Sequence, residues 1–205
     1  MKKLPEKTIE RLSAYRRALL GLALDGLTHI YSHQLAQMQG ITAVQVRRDL
    51  MLIGFSSQTR SGYEIDDLVR HISSIIDAKE PQKLAFVGMG NLARAINHYF
   101  TKRRSEQINI TAAFDNDKLK IGKSFFGVQC YDIADFSQSI VNLGIDIVIL
   151  SCPSEVAMNL VEHIENSEVK GILNFTGASL VFKRKVFVEN YDIITLLEKV
   201  AYFSN

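Results

Sequence analysis

From Ile9 the apolar residues Leu12, Leu19 and Leu22 recur at near-helical spacing, and the pattern stops around Asp25-Gly26. Pro5 suits the first turn of such a helix, where its missing N–H would have no intrahelical acceptor. A second, shorter helix is predicted from Ser32 to Gly40, with Leu35, Ala36 and Met38 to bury. The third has a clearer start. Thr42 can cap it, Gln45 follows three residues on as in a capping box, and Val44, Val46, Leu50, Leu52 and Ile53 lead up to Gly54. Phe55 to Ile65, with Gly62, Tyr63 and Ile65, predicts a β-hairpin. The order is therefore helix, helix-turn-helix, wing. A connecting helix over residues 66 to 79 follows, with Leu68, Ile72, Ile75 and Ile76 on one side.

The pattern changes at Lys79-Glu80-Pro81-Gln82-Lys83, a short polar stretch whose proline disfavours helix before it. Beyond it, β-rich runs alternate with helical ones. Lys83 to Val87 reads as a strand, followed by a Gly-rich turn and a helix from about Leu92 to Arg103; a second strand, Ile108 to Phe114, ends at Asp115. Asp146 to Leu150 and Lys170 to Phe175 are further strands, with a helix around Glu155 to Asn166 between them. Strands alternating with helices imply an α/β fold with a parallel sheet. Thr195 to Phe203 carries Leu196, Leu197, Val200, Ala201 and Phe203, more apolar surface than one edge of a small domain buries.

The 205 residues, 47% apolar and 22% charged, have the composition of an ordinary globular protein and not of a disordered one. Asp25 and His29 interrupt Leu19 to Ile30, so no apolar run reaches the roughly 18 residues of a membrane span. The first residues, Met1 to Lys7, turn polar where a secretory segment would turn apolar, so no signal peptide is expected. Two cysteines, Cys130 and Cys152, are too few for a disulfide framework or a four-thiolate zinc site, and a cytoplasmic chain with reduced thiols is expected. The net charge of +2 is unevenly placed: residues 1 to 65 hold nine Lys/Arg against five Asp/Glu, or +4, and the rest is −2. A basic front end is what a polyanion-binding module would show.

Gly88-Met89-Gly90-Asn91-Leu92-Ala93 follows a strand and opens a helix, fitting the Gly-x-Gly-x-x-Gly/Ala pattern of Rossmann dinucleotide sites. Gly88 permits a tight turn, Gly90 lets backbone approach a pyrophosphate, and Ala93 lets the helix pack close to the sheet. Asp115 then stands at the end of the next strand, where a carboxylate can accept hydrogen bonds from an adenosine ribose. An acid there would repel a 2′-phosphate, which favours NAD(H). The alternative is a glycine turn and a solvated Asp in another α/β fold. Cys152-Pro153 ends the strand beginning at Asp146, near where a nicotinamide would lie, and reads better as pocket wall than as nucleophile. The histidines His29, His33, His71, His98 and His163 are scattered, and no catalytic set or metal cluster is legible.

Gln45, Arg47 and Arg48 fall on the third predicted helix. If that helix enters a major groove, Gln can pair with adenine and Arg with guanine or phosphate. The alternative is a solvated face where Arg and Asp49 pair on the surface. Arg60, at the tip of the wing, is a candidate for a minor groove or a solubilising loop charge.

These residues together resemble the Rex family of redox-sensing transcriptional repressors, over nearly the whole length. The carriers are Arg11 to Tyr15, Ile41 to Leu50, Gly62-Tyr63, Val87 to Leu92, Phe114 to Asp117 with Ile121-Gly122, Lys170 to Phe175, and Val188 to Asp192. The resemblance implies a winged-helix DNA-binding domain over residues 1–80, a Rossmann NAD-binding domain over 81–194, and a C-terminal helix over 195–205 that swaps between the protomers of a homodimer. It also implies operator DNA bound by Ser32, Thr42, Gln45, Arg47, Arg48 and Arg60, and NADH or NAD+ held by Gly88 to Ala93, Asp115, Cys152 and Pro153. Arg17, Tyr99, Asp192 and Ile193 would report the nicotinamide state, with Arg16 competing with Arg17 for the register. Repression would be released by NADH. The chain departs from the family at Leu52-Ile53, at Gln58-Thr59-Arg60-Ser61 and at Ile193, so a divergent NAD(H)-binding paralogue with weak DNA binding and a small NAD-dependent dehydrogenase are the other readings.

Overall fold

The computed structural model describes residues 3–56, 61–102 and 107–204. It separates into two compact units, Met1–Ala78 and Lys79–Asn205.

The first unit runs α1 (Glu6–Leu24), β1 (His29–Ile30), α2 (Ser32–Gln39), α3 (Ala43–Leu52), β2 (Tyr63–Glu64) and α4 (Ile65–Ile76). One cluster holds it together: Leu12, Tyr15 and Leu19 of α1 meet Leu35, Val46, Leu50, Ile65, Leu68 and Ile72. The expected connecting helix is thus α4, and it is part of this core. Pro5 precedes α1, where its carbonyl accepts the N–H groups of Thr8 and Ile9. Thr42 caps α3 by accepting the Gln45 N–H.

Three expectations change here. The stretch 55–65 forms no hairpin among the described residues. The strand that its described residues form, Tyr63–Glu64, pairs antiparallel with His29–Ile30. Gly62 makes that pairing possible: at φ +92° a Cβ would stand 2.6 Å from the Ile30 carbonyl oxygen, closer than any side chain tolerates. Met38, Val44 and Leu52 are exposed instead of buried, because α2 and α3 are short and bury only one narrow stripe each. Gln45 does not complete a capping box, since its side chain turns to Asp49.

The second unit runs β3 (Gln82–Val87), α5 (Asn91–Lys102), β4 (Ile108–Asp115), β5 (Ser124–Phe125), β6 (Val128–Asp132), α6 (Phe136–Leu143), β7 (Ile147–Leu150), α7 (Ser154–Asn159), α8 (Val161–Glu165), β8 (Gly171–Asn174), β9 (Phe187–Asn190) and α9 (Ile193–Phe203). The sheet order is β5-β6-β4-β3-β7-β8-β9, parallel throughout except for β5. Alternate residues of β3 serve opposite faces: Ala85 and Val87 join Phe114, Phe136 and Ile164, while Leu84 and Phe86 join Met89, Ala93 and Ile149. A sheet buried on both faces has near-continuous apolar strands, which is why β3 and β7 were legible. The single helix expected around 155–166 is two, α7 and α8, broken at Leu160. No residue of α9 is buried.

Candidate functional site

Strand β3 lies between β4 and β7, so the chain leaves it toward one side of the sheet and returns on the other. A crevice forms at such a switch point, outside the C-terminal ends of the strands. Here it is a cleft of about 300 Å³ lined by Gly88, Gly90, Asp115, Lys120, Cys152 and Pro153, with Val87, Phe114, Asn116, Ile133, Ser151 and Val156 completing its walls.

Gly88 turns the chain out of β3 at φ +86°, and a Cβ there would meet the Ser151 carbonyl oxygen at 2.6 Å. The turn is stitched to both neighbours: Gly88 N–H donates to Phe114 O, and the Ser151 hydroxyl donates to Gly88 O at 2.9 Å. Gly90 is different. A Cβ on it would meet nothing within 4 Å, which leaves room for a ligand to come up against the backbone. The first turn of α5 begins there, and its N–H groups have no intrahelical acceptors. Of the residues expected at the site, Met89 and Ala93 are instead packed in the core, Asn91 is exposed and Leu92 half-buried.

Asp115 is buried at the end of β4. Its Oδ2 accepts the Met89 N–H at 2.8 Å and the Lys120 ammonium at 2.9 Å, while Oδ1 accepts the Asp117 N–H at 3.0 Å. Burial by itself would raise the carboxyl pKa, but the Lys120 bond and the two backbone donors outweigh it and hold the group below the ordinary carboxylate range. Sequence reasoning missed Lys120, whose spacing of five from Asp115 places it beyond a turn. Burial pushes the Cys152 thiol up to about 11, so it is a neutral part of the wall.

Nearer the sheet edge, a second hollow of about 240 Å³ is lined by Asn174, Gly177, Ala178, Ser179, Asn190, Tyr191 and Asp192. Asn174 shapes it, donating to Ala178 O and Asn190 Oδ1 and accepting from Thr176. Asp192 is exposed and caps α9, accepting from the Ile194 and Thr195 N–H groups and the Thr195 hydroxyl. The Thr195 hydroxyl, then the backbone donors, lower its pKa. Tyr99 on α5 and Ile193 on α9 are about half exposed.

In the first unit, α3 turns Val46, Asp49 and Leu50 inward and leaves Val44, Arg47, Arg48 and Met51 outward. Arg47 donates to the Ser32 hydroxyl at 3.1 Å, tying α3 to the start of α2, and Arg48 has no ion pair among the described residues. Asp49, expected as a surface partner, is fully buried and held by Arg11, Tyr15 and Gln45. Arg16 bonds Asp77 at 2.6 Å, whereas Arg17 is exposed. Arg60 lies outside the described residues. Among those residues no His, Cys, Asp and Glu cluster would hold a metal, and no helix is long and apolar enough to cross a membrane.

Comparison with known proteins covers both units. Residues 3–50 match the family model "Putative DNA-binding protein N-terminus", and residues 79–178 match "CoA binding domain". The redox-sensing transcriptional repressor Rex of Lactobacillus acidophilus is 34% identical over 201 residues, covering 98% of this chain and 95% of that protein. Rex 2 of Enterococcus faecalis is 31% identical over 205 residues, covering 99% and 94%. Among solved structures, RSP in complex with β-NAD+ and operator DNA aligns with all of this chain and 94% of its own, at TM-score 0.90 and 27% identity. RSP with β-NADH aligns at TM-score 0.86 with the same identity, covering all of this chain and 96% of its own.

Proposed function

The chain belongs to the Rex family of redox-sensing transcriptional repressors, and from that membership we propose that it binds palindromic operator DNA when apo or bound to NAD+ and releases it when NADH binds. The observation that carries the reading is the cleft between β3, β4 and β7: a glycine turn, an open approach at Gly90 and a carboxylate at Asp115, in one unit. Those residues suit the adenosine and pyrophosphate of a dinucleotide, and the hollow beside Asn174 and Asp192 suits its nicotinamide end. The carboxylates lining the two spaces are already engaged, Asp115 with Lys120 and two backbone N–H groups and Asp192 with the start of α9, so the role assigned to the site is sensing.

In this reading α3 enters the major groove. Arg48 reads a base, Arg47 and Ser32 act together on phosphate, and Thr42 and Gln45 flank them. Arg17 is the relay arginine, because Arg16 is already committed to Asp77 within its own unit. Tyr99 and Asp192 are its partners. Apolar α9 docks on a second copy of the chain, giving a homodimer whose symmetry matches a palindrome. The site of action is the cytoplasm.

The test is a gel shift of the full chain on a palindromic duplex, alone, with NAD+ and with NADH. Release by NADH alone is expected. Equal binding in all three conditions would leave a DNA-binding protein without a redox sensor, and no binding in any would leave a dinucleotide-binding paralogue.

A further inference from the structure

Helix α3 carries Val44, Arg47, Arg48 and Met51 on one outward stripe, at the spacing that keeps residues on a single helix face. No carboxylate shares that stripe, because Asp49, the acid of this helix, is fully buried. The arginines suit a polyanion, whereas nothing in the fold calls for Val44. It is 61% exposed in the first turn of α3 and takes no part in the core cluster of its unit. Valine is also a weak helix former, so neither burial nor local propensity accounts for it there.

We propose that Val44 is a specificity residue, which packs against the C5-methyl of a thymine and so selects T over C at one position of each half-site. The inference rests on the reading of α3 as the helix that enters the major groove. Of the four bases, only thymine presents an apolar group in that groove. Cytosine in its place offers no methyl and turns toward Val44 an N4–H₂ donor that the side chain cannot accept.

Position and stiffness both favour Val44. The N-terminal residues of such a helix are the ones that reach base edges, and Val44 is the second residue of α3, whereas Met51 lies roughly 10 Å further along the axis. A β-branched side chain has little χ1 freedom to lose in a helix. The backbone beneath it is fixed as well, by the Thr42 cap at the start of α3 and by the bonds of Arg11 and Gln45 to Asp49. The two methyls of Val44 are therefore in place before DNA arrives.

The experiment uses a palindromic duplex that the full chain selects from a randomised pool, with each thymine position in turn replaced by uracil in both half-sites. Uracil removes the methyl and leaves base pairing unchanged. The wild type is expected to bind about tenfold or more weakly with uracil at one position, from roughly fourfold for one buried methyl in each half-site, and to stay within about twofold at the others. Val44→Ala exchanges valine for a better helix former, and its response to uracil at that position should fall to within about twofold. A wild type indifferent to uracil at every position, or a Val44→Ala chain that responds as the wild type does, overturns the role of Val44 and leaves the DNA reading of α3 standing. Failure to select any duplex overturns that reading itself, and the role of Val44 with it.

Discussion

Arg11 grips Asp49 with two bonds, Nε to Oδ2 at 2.6 Å and Nη2 to Oδ1 at 2.7 Å, and so clamps α1 to the helix that faces outward with Arg47 and Arg48. The Tyr15 hydroxyl adds a third bond at 2.8 Å and Gln45 a fourth at 2.9 Å. Asp49 is fully buried, so each of these donors replaces water that the carboxylate has lost.

Asp49→Ala is therefore expected to cost the first unit about 3 kcal/mol, the low end for breaking a buried pair because part of Arg11 stays in water. Urea unfolding measures it. Burial alone would raise the Asp49 pKa, but Arg11, Tyr15 and Gln45 together lower it. A lowered folded-state value means stability that is whole above the unfolded pKa and drains as pH falls through the folded one. The wild type should thus lose stability more steeply than Asp49→Asn below about pH 4.

The two glycines of the turn should part company. Gly88→Ala forces a Cβ against the Ser151 carbonyl at positive φ, and is expected to lose about 1–3 kcal/mol of stability together with NADH binding. Gly90→Ala meets open space, so it should melt like the wild type and still bind NADH poorly, because its methyl occupies the path of the ligand. Calorimetry and fluorescence titration on the same samples separate the two. A Gly90→Ala chain with wild-type affinity would move the pyrophosphate elsewhere.

On DNA, Arg48→Ala should cost about 1–3 kcal/mol and relax sequence preference if, as proposed, Arg48 reads a base. Arg47→Ala should weaken all duplexes alike and reduce the salt slope by about one if Arg47, which donates to Ser32, acts on phosphate as proposed. Binding isotherms at several salt concentrations tell the two losses apart.

Asp192 caps α9, and the proposed relay gives it a second duty that one substitution can split from the first. Asp192→Ser keeps a side-chain oxygen to cap α9 and removes the charge. The variant should retain its helix by circular dichroism while its DNA binding no longer distinguishes NADH from NAD+. If NADH still releases DNA, the cap is the whole role of Asp192, and packing by Ile193 becomes the switch.

The legible parts of this chain are those where local chemistry and tertiary burial agree. Thr42 capped α3 as its spacing indicated, and β3 and β7 were visible because strands buried on both faces are near-continuously apolar. β9 escaped notice, being an edge strand with exposed residues and little pattern. The pairing of Tyr63–Glu64 was missed because its partner lies more than thirty residues upstream, a pairing no local signal encodes. At the cleft, Gly88 and Asp115 stood out by type and spacing. Lys120 and the buried Asp49 network did not, because a charge's role depends on which distant group it meets.

The uncovered apolar face of α9 has a thermodynamic consequence beyond assembly. If a second copy covers it, folding and association share one free energy, and the melting temperature of this protein is a function of how much of it is present. Dilution then acts as a mild denaturant. A cell that makes little of this chain would hold it nearer its unfolding threshold than one that makes much, so abundance itself would tune how long each molecule survives.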